Sequence, residues 1–266
     1  LAASLHLAER HDSQAETLAV LSADRDALQT RGEALSDALV QAESRDAGLQ
    51  VFALGPLRVE RGGIPLRQWG GAKAGTRHAE AVFAFIFDRG ERGASKDELI
   101  ELIWPDVDLK RADLAFHRTL GGLRTTLEPG RAGGDRGDAI TFRNDRYRLD
   151  ASLVEWSDVR AFEDEMTAAS ATPNEDTALL HLERARALYR GDYLDDCPFF
   201  GDSAAAEERR ELLRGRYVDL LLALGERYEH RGDRPAAASA FRQARTVSGV
   251  DLPPADEALA RLGLPA

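Results

Sequence analysis

The chain has 266 residues, 43% hydrophobic and 30% charged, with a formal net charge of −11. That length accommodates two domains with cores of their own, and the negative balance excludes a uniformly basic coat for nucleic acid. The charge is unevenly spread: residues 1 to 48 carry −5, 49 to 150 carry +2 and 151 to 266 carry −8, so only the middle third would not repel a polyanion.

Cys197 is the sole cysteine, which excludes an internal disulfide and fits a reducing compartment. No apolar run approaches the length needed to cross a bilayer, and the first residues lack the layout of an export signal. These features lead to the expectation of a cytoplasmic protein. Residue 1 is leucine and the sole methionine is Met166. A fragment of a longer protein is therefore expected, which leaves room upstream for a sensor domain or a membrane tether.

Residues 1 to 48 are rich in Ala, Leu, Glu, Asp and Arg, lack proline, and should be helical. Leu7, Leu21, Leu28, Leu35, Ala42 and Leu49 recur at multiples of seven, a coiled-coil seam weakened by Gln14, Arg25, Gly32 and Asp46 at other seam positions. A dimerising or linking coiled coil and a single helix folded onto the chain both remain open.

From residue 49 the pattern turns to β. Val51, Ala53, Leu57 and Val59 alternate, and Gly62-Gly63 reads as a hairpin turn. Ala79, Val82, Phe83, Phe85 and Ile86 then make an apolar helix ending near Gly90. Ser95 stands three residues before Glu98, the reciprocal capping pattern, and Pro105 stops that helix after Trp104. A third helix follows Asp108 and runs to Pro129-Gly130, and "AITFRNDRYRL" gives two strands about Asn144-Asp145. Strands, three helices and a hairpin spell a winged helix-turn-helix over residues 49 to 150.

Residues 151 to 266 are helical in pattern. Leu224, Gly225, Tyr228, Gly232, Ala237, Phe241 and Ala244 reproduce the small and large alternation of a tetratricopeptide helix pair. The fold class expected for the whole chain is thus mainly α with small β-sheets: an N-terminal helix or coiled coil, a winged helix and an all-α tetratricopeptide-like domain.

The third helix holds the chemistry. Helical projection puts Leu109, Ala112, Phe116, Leu120, Leu123 and Leu127 on a core face. The other side carries Arg111, Leu114, Arg118, Gly121, Gly122 and Thr125, with Lys110, His117 and Arg124 on one flank. Guanidinium forks suit guanine edges and phosphates, and small residues allow close approach to a duplex. A solvated face with ordinary arginines is the plainer reading for an isolated helix, but the third helix of a winged unit is its reader. Arg111, Arg118 and His117 are expected toward the groove, and Lys110, Arg124, Arg143 and Arg146 on phosphates, with Asn144 at the hairpin tip. Lys73 and Thr76 would offer a phosphate site where the first helix begins. For Gly121-Gly122, drift at a tolerant surface and close approach to a strand or partner are equally open.

Several motifs together resemble a known family. "LGPLRVERGGIPL", "SKDELIELIWPD", "FHRTLGGLRTTLEPG" and "DRYRLD" look like the OmpR-type winged helix of the bacterial antibiotic regulatory proteins. "VEWSDVRAFEDEM", "ALYRGDYLDD" and "EERRELLRGRYVDLLLALGERYEHRGDRPAAASAFRQA" look like the bacterial transcriptional activator domain that follows it there. The resemblance covers about residues 49 to 266. It implies a regulator that binds double-stranded promoter DNA, usually as side-by-side protomers, with the helical domain contacting its dimer mate, DNA or RNA polymerase. The family usually has polar or basic residues where Gly121 and Gly122 stand.

No enzyme site and no cofactor is expected. "GGAKAG" lacks the Gly-Lys-Ser/Thr of a phosphate loop, no two of the six histidines form a metal-ligand pair at helical spacing with a carboxylate partner, and Cys197 has no histidine nearby in sequence. The carboxylates Asp192, Asp195, Asp196 and Asp202 read as helix starts and solvated loop. The alternative from another class is a protein-interaction or ligand-sensing module with a degenerate winged helix, docking a partner or a small molecule through its acidic helical half.

Overall fold

A computed structural model describes residues 47–67, 69, 76–128, 139–197 and 203–264, together with Gln29 and Gly32. Gly48–Ala266 form one compact unit. The seam expected over residues 1 to 48, the "GGAKAG" segment with Lys73, and Asp202 lie outside the described residues.

Strand β1 (Leu49–Phe52) buries Leu49 and Val51 and pairs antiparallel with β2 (Arg58–Arg61), which turns at Gly62-Gly63 into the short β3 (Ile64–Pro65). Both turn glycines have positive φ, 55° and 79°, as the expected two-residue hairpin requires. Helix α1 (Thr76–Arg89) buries all five apolar residues assigned to it above. A short 3-10 turn, Gly90–Arg92, leads to α2 (Lys96–Ile103). Ser95 and Glu98 make the reciprocal cap, with the Glu98 amide donating to Ser95 Oγ at 3.1 Å and the Ser95 amide to Glu98 Oε2 at 2.7 Å. Helix α3 (Leu109–Leu127) follows its Asp108 cap. Strands β4 (Ile140–Arg143) and β5 (Arg146–Leu149) form the hairpin, or wing.

The chain then re-enters the first sheet. Strand β6 (Val154–Ser157) lies parallel to β1, giving the order β3-β2-β1-β6. Helical periodicity gave no hint of it, because its partner stands about a hundred residues upstream. Helices α4 (Asp158–Ala171), α5 (Glu175–Leu188), α6 (Ala204–His230), α7 (Arg234–Ser248) and α8 (Pro253–Arg261) complete a mainly helical chain with small sheets.

The tetratricopeptide spacing is realised in α6 and α7. A Cβ added to Gly225 would sit 2.4 Å from the Phe241 ring, so the bare backbone is what lets that ring fill the groove. Phe241, Ala237 and Ala238 also pack with Ala258 and Leu259 of α8 in a terminal cluster.

One core runs from the sheet through the winged helix into α4–α7. Asp158, wholly buried at the start of α4, accepts the amides of Ala53 at 2.8 Å and Leu54 at 3.0 Å, and Arg190 lies 3.5 Å away. Burial pushes its carboxyl above the ordinary range, against the pull of those amides. Residues 190 to 196 lie alongside 53 to 57: the Leu194 amide donates to Ala53 O at 2.8 Å and the Leu57 amide to Asp196 Oδ1 at 2.9 Å. Asp192 accepts Arg214 through both oxygens. Asp192 and Asp196, expected in solvated loop, are therefore joints of the fold. Cys197 is buried, as a small apolar side chain would be, and burial raises its thiol to about 12.

Candidate nucleic-acid interface

The candidate interface is assembled from α2, α3 and the wing. Trp104 ends α2, and Pro105 to Asp108 turn the chain into α3. Ala112, Phe116, Thr119, Leu120, Leu123 and Leu127 face inward, with the Phe116 ring 6.5 Å from Trp104 and 5.2 Å from Tyr147 of the wing. Two inward assignments change. Leu109, projected onto the core face, is 72% exposed, because the helix begins one turn before the part of α3 that the domain covers; Thr119 is buried instead.

The outward face is a single stripe: Arg111, Leu114, Arg118, Gly121 and Thr125 are exposed, at steps of three and four that keep one side of the helix together. Arg111 has a side chain 84% exposed, and its nearest acid, Asp108, stands at 3.8 Å. Arg118 has no hydrogen-bond or ion-pair partner among the described residues. His117 is turned along the helix, Nδ1 2.8 Å from the Asp113 carbonyl oxygen, while Lys96 Nζ of α2 holds Asp113 at 2.9 Å and keeps its carboxyl below the ordinary range. Thr125 donates its hydroxyl back to Gly121 O at 3.1 Å. Lys110 is exposed, its backbone amide serving the Asp108 cap at 2.9 Å. Among the described residues a Cβ on Gly121 would meet nothing within 4 Å, so their packing gives no reason for that glycine.

The wing is pinned by arginines. Asn144 and Asp145 take φ of 52° and 57°, a two-residue turn with both residues left-handed, which leaves Arg143 and Asn144 exposed at the tip. Arg146 Nη1 donates to Gly93 O and to Glu98 Oε2, both at 3.1 Å, so Glu98 closes the α2 cap and tethers the wing at once. Those bonds hold the Glu98 carboxyl below its ordinary range, the Ser95 amide first among the causes. Gly93 has φ of 67°, and a Cβ there would meet Tyr147 O at 2.7 Å, so no other residue lets Ala94 pair with β5. Arg124 Nη2 donates to Ile140 O at 3.0 Å, fastening α3 to β4.

The residues expected to touch DNA thus divide. Arg111, Arg118, Lys110, Thr125, Arg143 and Asn144 are exposed on α3 and the wing; Thr76 is exposed where α1 begins; Arg124 and Arg146 are engaged inside the fold; Lys73 lies outside the described residues. Arg148 was missed. Its guanidinium donates to the carbonyls of Glu91 at 2.6 Å and Arg143 at 3.0 Å, and its signal was legible, since it shares a strand face with Arg146 at a step of two. Phe142, half exposed on β4 against Tyr147, was missed too. Among the described residues, no group of histidine, cysteine and carboxylate side chains is placed to hold a metal ion, and no helix is long and apolar enough to cross a membrane.

No family model and no curated protein matches the chain. Among solved structures it is similar to EmbR of Mycobacterium tuberculosis, a structure in complex with a low affinity phosphopeptide. The two share 22% sequence identity at a TM-score of 0.52, over 83% of this chain and 67% of that one. A match of that extent spans both the winged helix and the helical part, and what it establishes is a shared fold.

Proposed function

We propose that this chain is a DNA-binding transcriptional regulator that lays α3 in the major groove of promoter DNA. Arg111 and Arg118 read base edges or phosphates, with His117 and Thr125 beside them and Lys110 on the backbone. Arg143 and Asn144 carry the wing to the neighbouring minor groove, and Thr76 with Lys73 meets a phosphate at the start of α1. Arg124 and Arg146 add positive charge while holding the wing in place. The carrying observation is the exposed stripe of α3 opposite its core row, with two arginines that the fold itself leaves largely unengaged.

In this reading residues 49 to 150 bind DNA, 151 to 266 contact RNA polymerase and a second protomer in activation, and 1 to 48 link or dimerise. The protein works in the cytoplasm and performs no catalysis. The fold shared with EmbR supports the architecture. Fluorescence anisotropy on labelled promoter duplexes across a salt series tests it. A good bidentate base contact is worth about 1–3 kcal/mol, so Arg111→Ala with Arg118→Ala should weaken specific binding roughly a hundredfold. Unchanged binding would remove α3 from the groove.

A second reading rests on Leu109 and Leu114, 72% and 58% exposed on the same helix. Large apolar side chains left exposed on a charged helix suit a protein partner. Failure to bind any duplex even at low salt would favour that protein-interaction or ligand-sensing module.

A further inference from the structure

Where the wing meets the start of α4, a cleft of about 420 Å³ opens that shares only Arg143 with the surface proposed for DNA. Small-molecule sites fall at roughly 300–1,000 Å³ and pair apolar walls with a few placed polar groups. Phe87 of α1, Leu149 of β5 and Val154 of β6 supply the apolar wall; Arg143, Arg148 and Arg160 supply three guanidinium groups. Two carboxylates, Glu91 and Asp150, also line the cleft, but Asp150 is turned to its own loop, accepting the Ser152 amide at 2.8 Å. Arg148 lends charge, its donors being spent on backbone carbonyls. Arg143 and Arg160 are exposed, and neither side chain has a hydrogen-bond or ion-pair partner among the described residues.

Two guanidinium forks without hydrogen-bond or ion-pair partners among the described residues, lining one cleft with apolar side chains, match a molecule with an anionic head and a compact apolar body. We infer that this cleft binds a small amphipathic organic anion, with Arg143 and Arg160 on the head group and Phe87, Leu149 and Val154 against the body. Arg143 also belongs to the exposed wing tip, so an occupant of the cleft withdraws that arginine from DNA. This consequence rests on the DNA-binding reading, whereas the binding itself does not.

Titration of the full chain with anilinonaphthalene sulfonate, an anionic fluorescent amphiphile, tests the cleft without DNA. Saturable one-to-one binding is expected. Losing a charge-assisted fork in Arg160→Ala should weaken it about tenfold or more. Arg160→Lys should retain most of it, Ala151→Trp at the mouth should block it, and melting curves should stay unchanged. The uncharged phenylnaphthylamine should bind more weakly than the sulfonate. Absence of saturable binding, binding that Arg160→Ala and Ala151→Trp leave unchanged, or equal affinity for the neutral dye would each overturn the assignment. With a promoter duplex added, saturating sulfonate should lower duplex affinity in the natural chain and not in Arg160→Ala. A protein that takes up the dye but binds no duplex leaves the cleft assignment standing and removes the regulator reading alone.

Discussion

Replacing Gly121 by alanine separates what the fold wants at this position from what a bound duplex wants. Gly121 is exposed in the interior of α3, and among the described residues a Cβ there would meet nothing within 4 Å. No steric cost therefore offsets the helix-propensity gain of about 1 kcal/mol for alanine over glycine. For a unit of this size that gain corresponds to a rise in melting temperature of roughly 2–4 °C. The Thr125 hydroxyl bonds the Gly121 carbonyl, which the substitution keeps. DNA affinity should move the other way. Gly121 stands between Arg118 and Thr125 on the outward stripe, so if the duplex lies against that stripe, the added methyl must push the helix back and lengthen the arginine contacts beside it. A loss of about 1.4 kcal/mol, tenfold in Kd, is expected. Calorimetry with duplex anisotropy on one preparation reads both quantities. A more stable protein with undiminished affinity would refute the close approach of DNA at Gly121, and a less stable one would refute the claim that none of the described residues lies above it.

Gly225→Ala should behave oppositely to Gly121→Ala, because its Cβ would meet the buried Phe241 ring at 2.4 Å. Overpacking of about 1–3 kcal/mol outweighs the propensity gain, so denaturant unfolding should show a net loss, and a stabilised variant would contradict the packing described. Acid should weaken the fold through Asp192, whose carboxyl is held below its ordinary range first by its Arg214 hydrogen bonds. A depressed carboxyl contributes stability above its unfolded value, near 4, that is lost as pH falls through the folded value. Asp192→Asn should cost about 1 kcal/mol at neutral pH, discounted because the pair is about a third exposed, and should flatten the fall in stability as pH drops below the ordinary carboxylate range. An acid limb that keeps its natural slope in the variant would remove Asp192 from that role.

Much of the fold was legible because local rules and global packing agree. Ser95 and Glu98 cap α2, Gly62-Gly63 and Asn144-Asp145 turn their hairpins, and Gly225 meets Phe241, each as its spacing required. What was not legible depends on distant pairing. Strand β6 exists because β1 offers a free edge, and Asp192 and Asp196 are joints because residues 53 to 57 arrive beside them. Leu109 was misassigned because helical projection gives a direction and no depth: the core ends before the helix does. In the interface, composition marked the arginines, but their division between outward stripe and inward clasp turns on where backbone carbonyls lie, as the Arg124 bond to Ile140 shows.

The inward clasps bear on how a signal in the helical half could reach α3. Arg210 of α6 donates to the carbonyls of Tyr193 at 2.7 Å and Leu194 at 2.8 Å, and Arg214 holds Asp192 beside them. The same loop passes the linkage on, since the Tyr193 hydroxyl donates to Asp88 of α1 at 3.1 Å, and α1 shares its core with α3. Asp158 closes a second path, from the start of α4 to the end of β1. Removing one partner of a buried hydrogen-bonded charge typically costs about 3–5 kcal/mol, so the helical half cannot swing away from the winged helix as if on a flexible tether. In the DNA-binding reading, coupling runs through small shifts of packed elements, and α1, which bonds Tyr193 through Asp88, shares its core with α3 and lines the cleft through Phe87, is the element common to both routes.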